Sequence, residues 1–540
     1  MNINIQSKNT KNLQITRSID SVYWCPKCNV PLLSNHCNKC DSKGIYCAQD
    51  LKPAFQKEKE IYENFLSIQL PNGLFRSKNR IIMDGTTLFR YKIDFQKLKL
   101  SSIEPINLIK SRLKNHAFET ERKIWDKIRE SNKTILAKKE REALKFIKKI
   151  AQEYKGRSKV ISFSGGKDSS VTAILVKKAL VNVPLFFSDT TLELPETYKF
   201  VEHFAEKYGF KLIKDNDNKF FRSSQDFFDL CTDLGPPSIS YRWCCTVFKA
   251  TPVNEFYKTT NKDFLAFDGI RKYESQRRTK YSKVSRIKKI PRQIAAYPIF
   301  LWREADVWFY IILNKIAYNP VYELGHTRVG CWVCPNASPS SCFFRRFTHP
   351  ELWKKFEITL EKYAEKYGKD KNWIIGNYWR LRRSKKDKVT AASPCQRYST
   401  EQFLVYKLNE PFNEHLLEYF KPFGDVKIEK TPWNRTFTVG SKNPFELSGI
   451  IDGLRIKVSI NPKNSTGSKK LFERQLTRAL NCVNCGGCIG KCPFGAINIV
   501  NNRFTIDSEK CRLCKKCVLS DCIALKYRIE QKVIKDKFKL

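Results

Sequence analysis

The 540-residue chain contains no run of 18 or more apolar residues, so nothing in it reads as a membrane-spanning helix. Its first residues, MNINIQSKNTKNL, lack an apolar core and a small-residue cleavage site, and no secretory signal is read there. The expected compartment is the cytoplasm. Acidic residues are scarce: 54 Asp and Glu stand against 99 Lys and Arg, a formal charge of +45. A lysine-rich compositional bias would be expected to raise Glu as well. The imbalance therefore favours an anionic partner, a nucleotide or a nucleic acid. In a reducing compartment the 20 cysteines are read as metal or cluster ligands rather than disulfides. Most of them fall in tight C-x2-C groups at three places. The length implies three or more domains, and a composition of 41% hydrophobic residues supplies their cores.

Residues 1–55 read as a zinc ribbon. Cys25, Cys28, Cys37 and Cys40 form two C-x2-C pairs eight residues apart, able to close a tetrahedral thiolate shell with no open coordination position. Residues 56–103 carry short alternating stretches such as RIIMDGTTLFRYKIDF, with Asp84-Gly85 suited to a hairpin turn. This small β-rich module faintly resembles the PUA-like modules that accompany RNA-modifying enzymes. Residues 104–155 show helical periodicity with many cations and are expected to be a basic helical connector.

Residues 156–345 hold the chemistry. Three apolar runs, in KVISFSGGKDSS, VPLFFSDTTLELPET and FLAFDGIRKYESQRR, each end in polar residues, with helical patterns between them. Strands alternating with helices imply an α/β fold with a parallel, Rossmann-like sheet, and ligands bind at the carboxyl ends of such strands. The first run lacks Walker A spacing. Gly165 and Gly166 nonetheless let backbone N–H groups approach an anion at a helix N-terminus, Lys167 adds a full charge, and Ser164 and Ser169 add hydroxyls. Asp168 either caps the helix or helps hold Mg²⁺. The segment 271–292 carries ten Lys or Arg against the single Glu274, which suits an oxyanion.

SGGKDS at a strand–helix junction resembles the PP-loop of the adenine-nucleotide α-hydrolase superfamily. FSDTTLELPET, RWCC, DGIRKYESQRR, PIFLWREADVWFYI and RVGCWVCP together resemble its phosphoadenosine-phosphosulfate (PAPS) reductase branch, in an archaeal-type arrangement with a zinc ribbon and a ferredoxin domain. That resemblance implies ATP, APS or PAPS on Ser164–Ser169, Asp189 and Thr190 near the adenosine, and Arg271 facing phosphate or sulfate. Lys167, Asp168 and Arg271 are the catalytic candidates. Cys244-Cys245 and Cys331-Trp-Val-Cys334 resemble the [4Fe–4S] site of iron–sulfur sulfonucleotide reductases, although spacing alone does not separate such a cluster from zinc. The C-terminal ECG-type cysteine of those reductases is missing, and Cys342 and Cys395 are the spare thiols that could replace it. The phosphate loop is also intact, as ATP chemistry would require.

Residues 346–435 are expected to be a helical extension and 436–475 a small β-containing linker. Residues 476–530 carry C-x2-C-x2-C-x3-C-P followed by C-x2-C-x2-C-x4-C, the run of a two-cluster bacterial ferredoxin. Crossing over, Cys482, Cys485, Cys488 and Cys522 would hold one [4Fe–4S] cluster, and Cys511, Cys514, Cys517 and Cys492 the other. With the central site this makes three clusters and one zinc. The leading expectation is an oxidoreductase that reduces a sulfonucleotide to sulfite with electrons from the fused ferredoxin, itself fed by an external donor. The alternative is ATP-dependent thiolation of tRNA or another nucleic acid.

Overall fold

A computed structural model of the chain describes residues 21–114, 119–381, 395–399, 404–408, 411–430, 435–440, 447–452, 455–460 and 465–527. Its centre is a mixed α/β unit around a six-stranded sheet. We number those strands β1 (Ser158–Ser162), β2 (Leu185–Phe186), β3 (Leu212–Ile213), β4 (Phe264–Asp268), β5 (Val284–Ile287) and β6 (Ile290–Ala296). The spatial order is β3-β2-β1-β4-β6-β5, parallel throughout except for β5, which pairs antiparallel with β6. From β1 the chain winds outward through β2 and β3, then returns to place β4 on the opposite side. The order reverses between β1 and β4, which is where an open α/β sheet forms its ligand crevice. The basic segment 271–292 is not a free loop: its second half folds as the β5–β6 hairpin and extends the sheet.

The ribbon is a three-stranded antiparallel sheet, Val30–Leu32, Val22–Cys25 and Ile45–Ala48. Next to it lies a five-stranded antiparallel sheet whose Asp84-Gly85 turn, both residues at positive φ, joins Arg80–Met83 to Thr86–Asp94. A Cβ on Gly85 would sit 2.6 Å from Trp24 Cγ, so this hairpin closes directly on the ribbon. The connector contains one 33-residue helix, Glu121–Glu153, which buries Ile128, Leu136, Ala143, Ile147 and Ile150 at helical spacing. Asn132 on this helix accepts from Leu33 N–H (2.7 Å) and donates to Pro31 O (3.0 Å), so the helix is a brace under the ribbon.

The C-terminal third departs from expectation. Strands begin at Cys395, not at 436, and a six-stranded antiparallel sheet runs Cys395–Ser399, Leu404–Leu408, Arg455–Ile460, Leu447–Asp452, Arg435–Gly440, Asp425–Lys430. Leu404–Leu408 pairs with Arg455–Ile460 across some fifty residues, a register that no local pattern reveals. The cysteine-rich end is not a free-standing unit either. Ala496, Ile497, Phe504 and Val518 share one core with Tyr406 and Val458 of this sheet and with Phe420 of the helical turn Glu414–Phe423. No helix among the described residues is long and apolar enough to cross a membrane.

Candidate active site

The chain leaves β1, turns through Ser164–Gly166 and enters the helix Lys167–Ala179. Gly165 has φ +68°, and a Cβ on it would lie 3.1 Å from Thr197 Cγ2. Gly269, after β4, is tighter still, with a Cβ falling 2.6 Å from the carbonyl carbon of Asp168. The two loops at the crevice therefore meet main chain to main chain. Ser169 Oγ donates to Gly166 O (2.8 Å) and lies 3.3 Å from Ser164 N and Oγ. Lys167 N–H donates to the Tyr322 hydroxyl (3.0 Å), and Asn319 donates to Gly165 O (3.2 Å). These bonds set the loop's shape ahead of any ligand.

Four charges cross the crevice. Arg271, 3% exposed, donates from Nε to Asp168 Oδ1 (2.5 Å) and from Nη2 to Glu304 Oε2 (2.8 Å). Lys167 Nζ lies 3.0 Å from Asp168 Oδ2 and 3.4 Å from Glu304 Oε1. Burial works against ionising Asp168, but Arg271 and Lys167 overcome it and hold its pKa at about 2. Burial likewise opposes the charge on Lys167, and Asp168 and Glu304 reverse that, leaving its pKa raised. Both Asp168 oxygens are thus engaged by cations. Glu304 opens the helix Glu304–Leu313, and its neighbour Arg303 donates to Ser21 O (2.6 Å) and Leu33 O (2.7 Å) of the ribbon. The ribbon therefore fixes the residue beside the one that holds Arg271.

These groups line a cavity of about 1470 Å³. The phosphate loop forms one side. Lys52, Arg76, Lys78 and Tyr91 of the N-terminal β-rich sheet line the cavity too, as do Arg278 and Arg328. Burial and the neighbouring Arg328 push the Arg278 pKa down, as expected where like charges face a space shaped for an anion. At the end of β4, burial raises Asp268 to about 6, and its Oδ1 has no hydrogen-bond partner among the described residues. Lys52 and Arg76 both hold the buried carboxylate of Glu58, and Arg76 also donates to Gly325 O (2.9 Å), tying the module to the central α/β unit.

Cys244 and Cys245 precede a π-helical turn, Thr246–Ala250, which runs into the helix Thr251–Thr259. Such turns recur at functional sites. Cys244 senses the charges of Cys245, Cys331 and Cys334, so the two pairs converge as one set. Cys245, Glu193 and Lys249 all line the cavity. Lys249 has its pKa raised, chiefly by Cys331, and so lies close to the thiols while lining the cavity. Asp189 and Thr190 are buried beneath this set rather than among the cavity-lining residues. Thr190 Oγ1 donates to Glu193 Oε1 (2.9 Å) and lies 3.4 Å from Cys331 Sγ. Asp189 Oδ1 accepts from Tyr198 (2.7 Å) and Thr191 N–H (2.7 Å), holding β-branched Thr191 at φ +59°.

The sulfurs of Cys25, Cys28, Cys37 and Cys40 all lie within 4.8 Å of one another. Zn–S bonds of about 2.3 Å place tetrahedral ligands about 3.8 Å apart, so this group fits zinc. Among the described residues no other cysteine set is drawn that close. At the C-terminus Cys522 acts electrostatically on Cys482, Cys485 and Cys488, and Cys492 acts on Cys511 and Cys517. Proximity thus groups these cysteines in crossed fashion. The spare thiols Cys47, Cys231 and Cys342 are buried, and burial raises the Cys342 pKa. The Cys395 side chain and most of RLRRSKKDK lie outside the described residues.

Residues 158–337 match the phosphoadenosine phosphosulfate reductase domain family. The match begins at β1, ends three residues past Cys334 and takes in the whole crevice. Proteins similar to this chain include two uncharacterized proteins of Methanocaldococcus jannaschii. One is 37% identical over 267 residues, covering 48% of this chain and 54% of the relative. The other is 35% identical over 260 residues, covering 48% and 60%. The chain therefore spans little more than half the length of these two relatives. An adenosine 5′-phosphosulfate reductase of Lysinibacillus sphaericus is 27% identical over 196 residues, 36% of this chain and 80% of the relative. The crystal structure of a Candida auris PAPS reductase in phosphate complex covers 41% of this chain and 99% of its own, at 19% identity and a TM-score of 0.29.

Several residues of the site escaped sequence reasoning. Glu304 stands inside the quoted LWREADVW segment, where a capping position is legible but a partner for Arg271 is not. Tyr322 and Asn319 carry no motif. Lys52 falls in the stretch read as a zinc ribbon and Arg76 and Lys78 in the β-rich module, whereas Lys52 and Arg76 pair in one sheet and all three line the cavity.

Proposed function

We propose that the protein is an iron–sulfur enzyme that binds an adenine sulfonucleotide in the crevice and reduces it to sulfite. The observation that carries this reading is the continuity of one apolar core. Cys485, Cys522 and Ile523 of the C-terminal module pack on the same core as Trp243, Cys244, Cys331 and Trp332. Loaded with clusters, the Cys244/Cys245/Cys331/Cys334 set and the two C-terminal sets would supply one-electron carriers in series. The chain's own residues bind and orient. The phosphate loop and Lys167 would hold the nucleotide phosphate, while Arg278 and Arg328 would hold the sulfonate oxygens. Lys249 would face the sulfur from the thiol side. In the reaction the bond between sulfur and the bridging phosphate oxygen breaks. Two electrons are taken up, one pair remains on sulfur as sulfite, and the oxygen leaves on the nucleoside phosphate. This balance needs no nucleophilic cysteine, in keeping with the burial of Cys342.

A second reading, ATP-dependent thiolation of a nucleic acid, draws on a different observation. Sites for drug-sized ligands commonly occupy roughly 300–1,000 Å³, and a cavity of about 1470 Å³ walled by a second module leaves room for another substrate. One experiment separates the two. Anaerobically reduced protein is incubated with APS or PAPS and, separately, with labelled ATP and RNA. Sulfite release supports reduction, and RNA-dependent pyrophosphate release supports thiolation. Neither product would sink both.

A further inference from the structure

The two C-terminal thiol sets are not equivalent. The turn Ile489–Lys491, beside Cys488, sits on the helix Thr251–Thr259 that follows Cys244-Cys245. A Cβ on Gly490 would meet Thr251 Cα at 3.2 Å, and Lys258 donates to Ile489 O. Cys485 and Cys522 pack against the central core. The other set faces outward. Cys514 is the one exposed cysteine among the described residues. Phe494, Arg512 and Lys515 line the same small cleft as Cys492, Cys511, Cys514 and Cys517.

The surroundings of Cys514 have a definite character. From Lys510 to Ser520 the chain reads KCRLCKKCVLS, without one acidic residue. Lys510 is neutralised by Asp507 at 2.8 Å, whereas no ion pair is recorded for Arg512, Lys515 or Lys516 among the described residues. Arg512 and Lys516 are exposed. Between and beside them three apolar side chains stand out to solvent: Leu513 at 42%, Phe494 at 46% and Leu519 at 62% exposure. An apolar centre ringed by unneutralised cations is the complement of an acidic protein surface. Electrostatic attraction would steer the encounter, and the apolar patch would set its geometry.

We propose that this face, centred on Cys514 and bounded by Arg512, Lys515 and Lys516, docks an acidic one-electron carrier protein. The proposal rests on the reading of the C-terminal cysteines as cluster ligands. In each encounter the carrier is oxidised by one electron, which is taken up at the Cys492/Cys511/Cys514/Cys517 set. Two encounters supply the pair that reduction of a sulfonucleotide consumes. The docked side of the module cannot serve, because Thr251, Asn254 and Lys258 already cover it.

The test uses the full-length, cluster-loaded protein and a plant-type [2Fe–2S] ferredoxin, a strongly acidic carrier, as probe. Stopped-flow absorbance near 400 nm follows reduction by the ferredoxin and, separately, by dithionite. Iron per chain is measured for every variant. The expected result for Arg512→Glu/Lys515→Glu/Lys516→Glu is a fall of about tenfold or more in the ferredoxin rate and a flattened salt dependence. Dithionite should bleach it as fully as the parent. Glutamine replacements at the same positions should fall in between. Reversal of Lys148 and Lys149, exposed on the brace helix, should change nothing. Direct titration of the oxidised ferredoxin should show the same loss of affinity without turnover. A ferredoxin rate and affinity unchanged by the triple reversal, at equal iron content, would overturn the docking face. If dithionite bleaches no band even in the parent protein, the cluster reading itself falls.

Discussion

Glu304 occupies the cations of the crevice and would compete for them with a bound anion. Its carboxylate engages both Arg271 (2.8 Å) and Lys167 (3.4 Å). Replacing it by glutamine keeps the shape and leaves a carbonyl oxygen able to accept from Arg271, while removing one negative charge. Two effects of opposite sign follow. A hydrogen bond to a charged group contributes about 1.5–3 kcal/mol, and the amide that faces Lys167 no longer attracts it. The variant should therefore unfold in urea with about 2 kcal/mol less stability. Anion binding should improve. A unit charge roughly 6 Å from a bound anion contributes ~3 kcal/mol at an effective dielectric of about 20. Solvent at the open mouth and the altered Lys167 contact would reduce that to about 1.4 kcal/mol, or roughly tenfold. Calorimetric titration with inorganic pyrophosphate at low salt reads the affinity without turnover. Pyrophosphate binding more weakly to Glu304→Gln than to the parent would refute the reasoning, and Glu304 would then be a positioning group that the site cannot spare.

Other outcomes follow from the same geometry. Arg303→Lys gives up the paired donation to the Ser21 and Leu33 carbonyls, and thermal denaturation should show a loss of about 2 kcal/mol. Its ribbon should also release zinc faster to a chromogenic chelator, and an unchanged release rate would show that ribbon and crevice are uncoupled. Asp268 has its folded pKa raised to about 6, so it is neutral below that pH and repels an anion above it. Sulfate, whose own charge is constant from pH 5 to 8, should bind more tightly as pH falls through about 6. In Asp268→Asn that slope should disappear. Gly490→Val drives a side chain into Thr251 and Asn254, and reduction of the central thiol set by way of the C-terminal module should slow at unchanged iron content. Equal rates would mean that the observed docking is not the productive one.

The parts of the site legible in the sequence are those whose information is local. SGGKDS announces a phosphate loop because glycine freedom and a helix start occupy adjacent positions, and the helix does begin at Lys167. Asp84-Gly85 marks its hairpin for the same reason. Cys244-Cys245 and Cys331/Cys334 could be joined only through resemblance, since 85 residues separate them. Nothing local could place Lys52 or Arg76 in one cavity with the phosphate loop. Lys52 falls in the stretch read as a zinc ribbon and Arg76 in the β-rich module, and the buried Glu58 that they share brings them together. From Cys395 onward the strands pair mostly with their chain neighbours, and only Leu404–Leu408 takes a partner, Arg455–Ile460, some fifty residues away, which no local pattern reveals. A cysteine-defined end reads as a separate unit because ligand spacing is conspicuous, whereas the apolar residues that fuse it to the neighbouring sheet are not.

The helix Thr251–Thr259 has the Cys244-Cys245 pair at its leading end and Gly490 against its side. Gly490 meets the helix in its first turn, at Thr251 and Asn254, and a hydrogen-bonded helical turn does not stretch. The gap between the central thiols and those of the C-terminal module is therefore set by a solid spacer rather than by the polypeptide that joins the two regions. Residues inserted into or deleted from that joining stretch would alter how readily the module finds its seat, and would leave unchanged the distance once it is seated. Relatives could lengthen, shorten or sever the connection at little cost to electron flow, provided that a glycine keeps its place against Thr251.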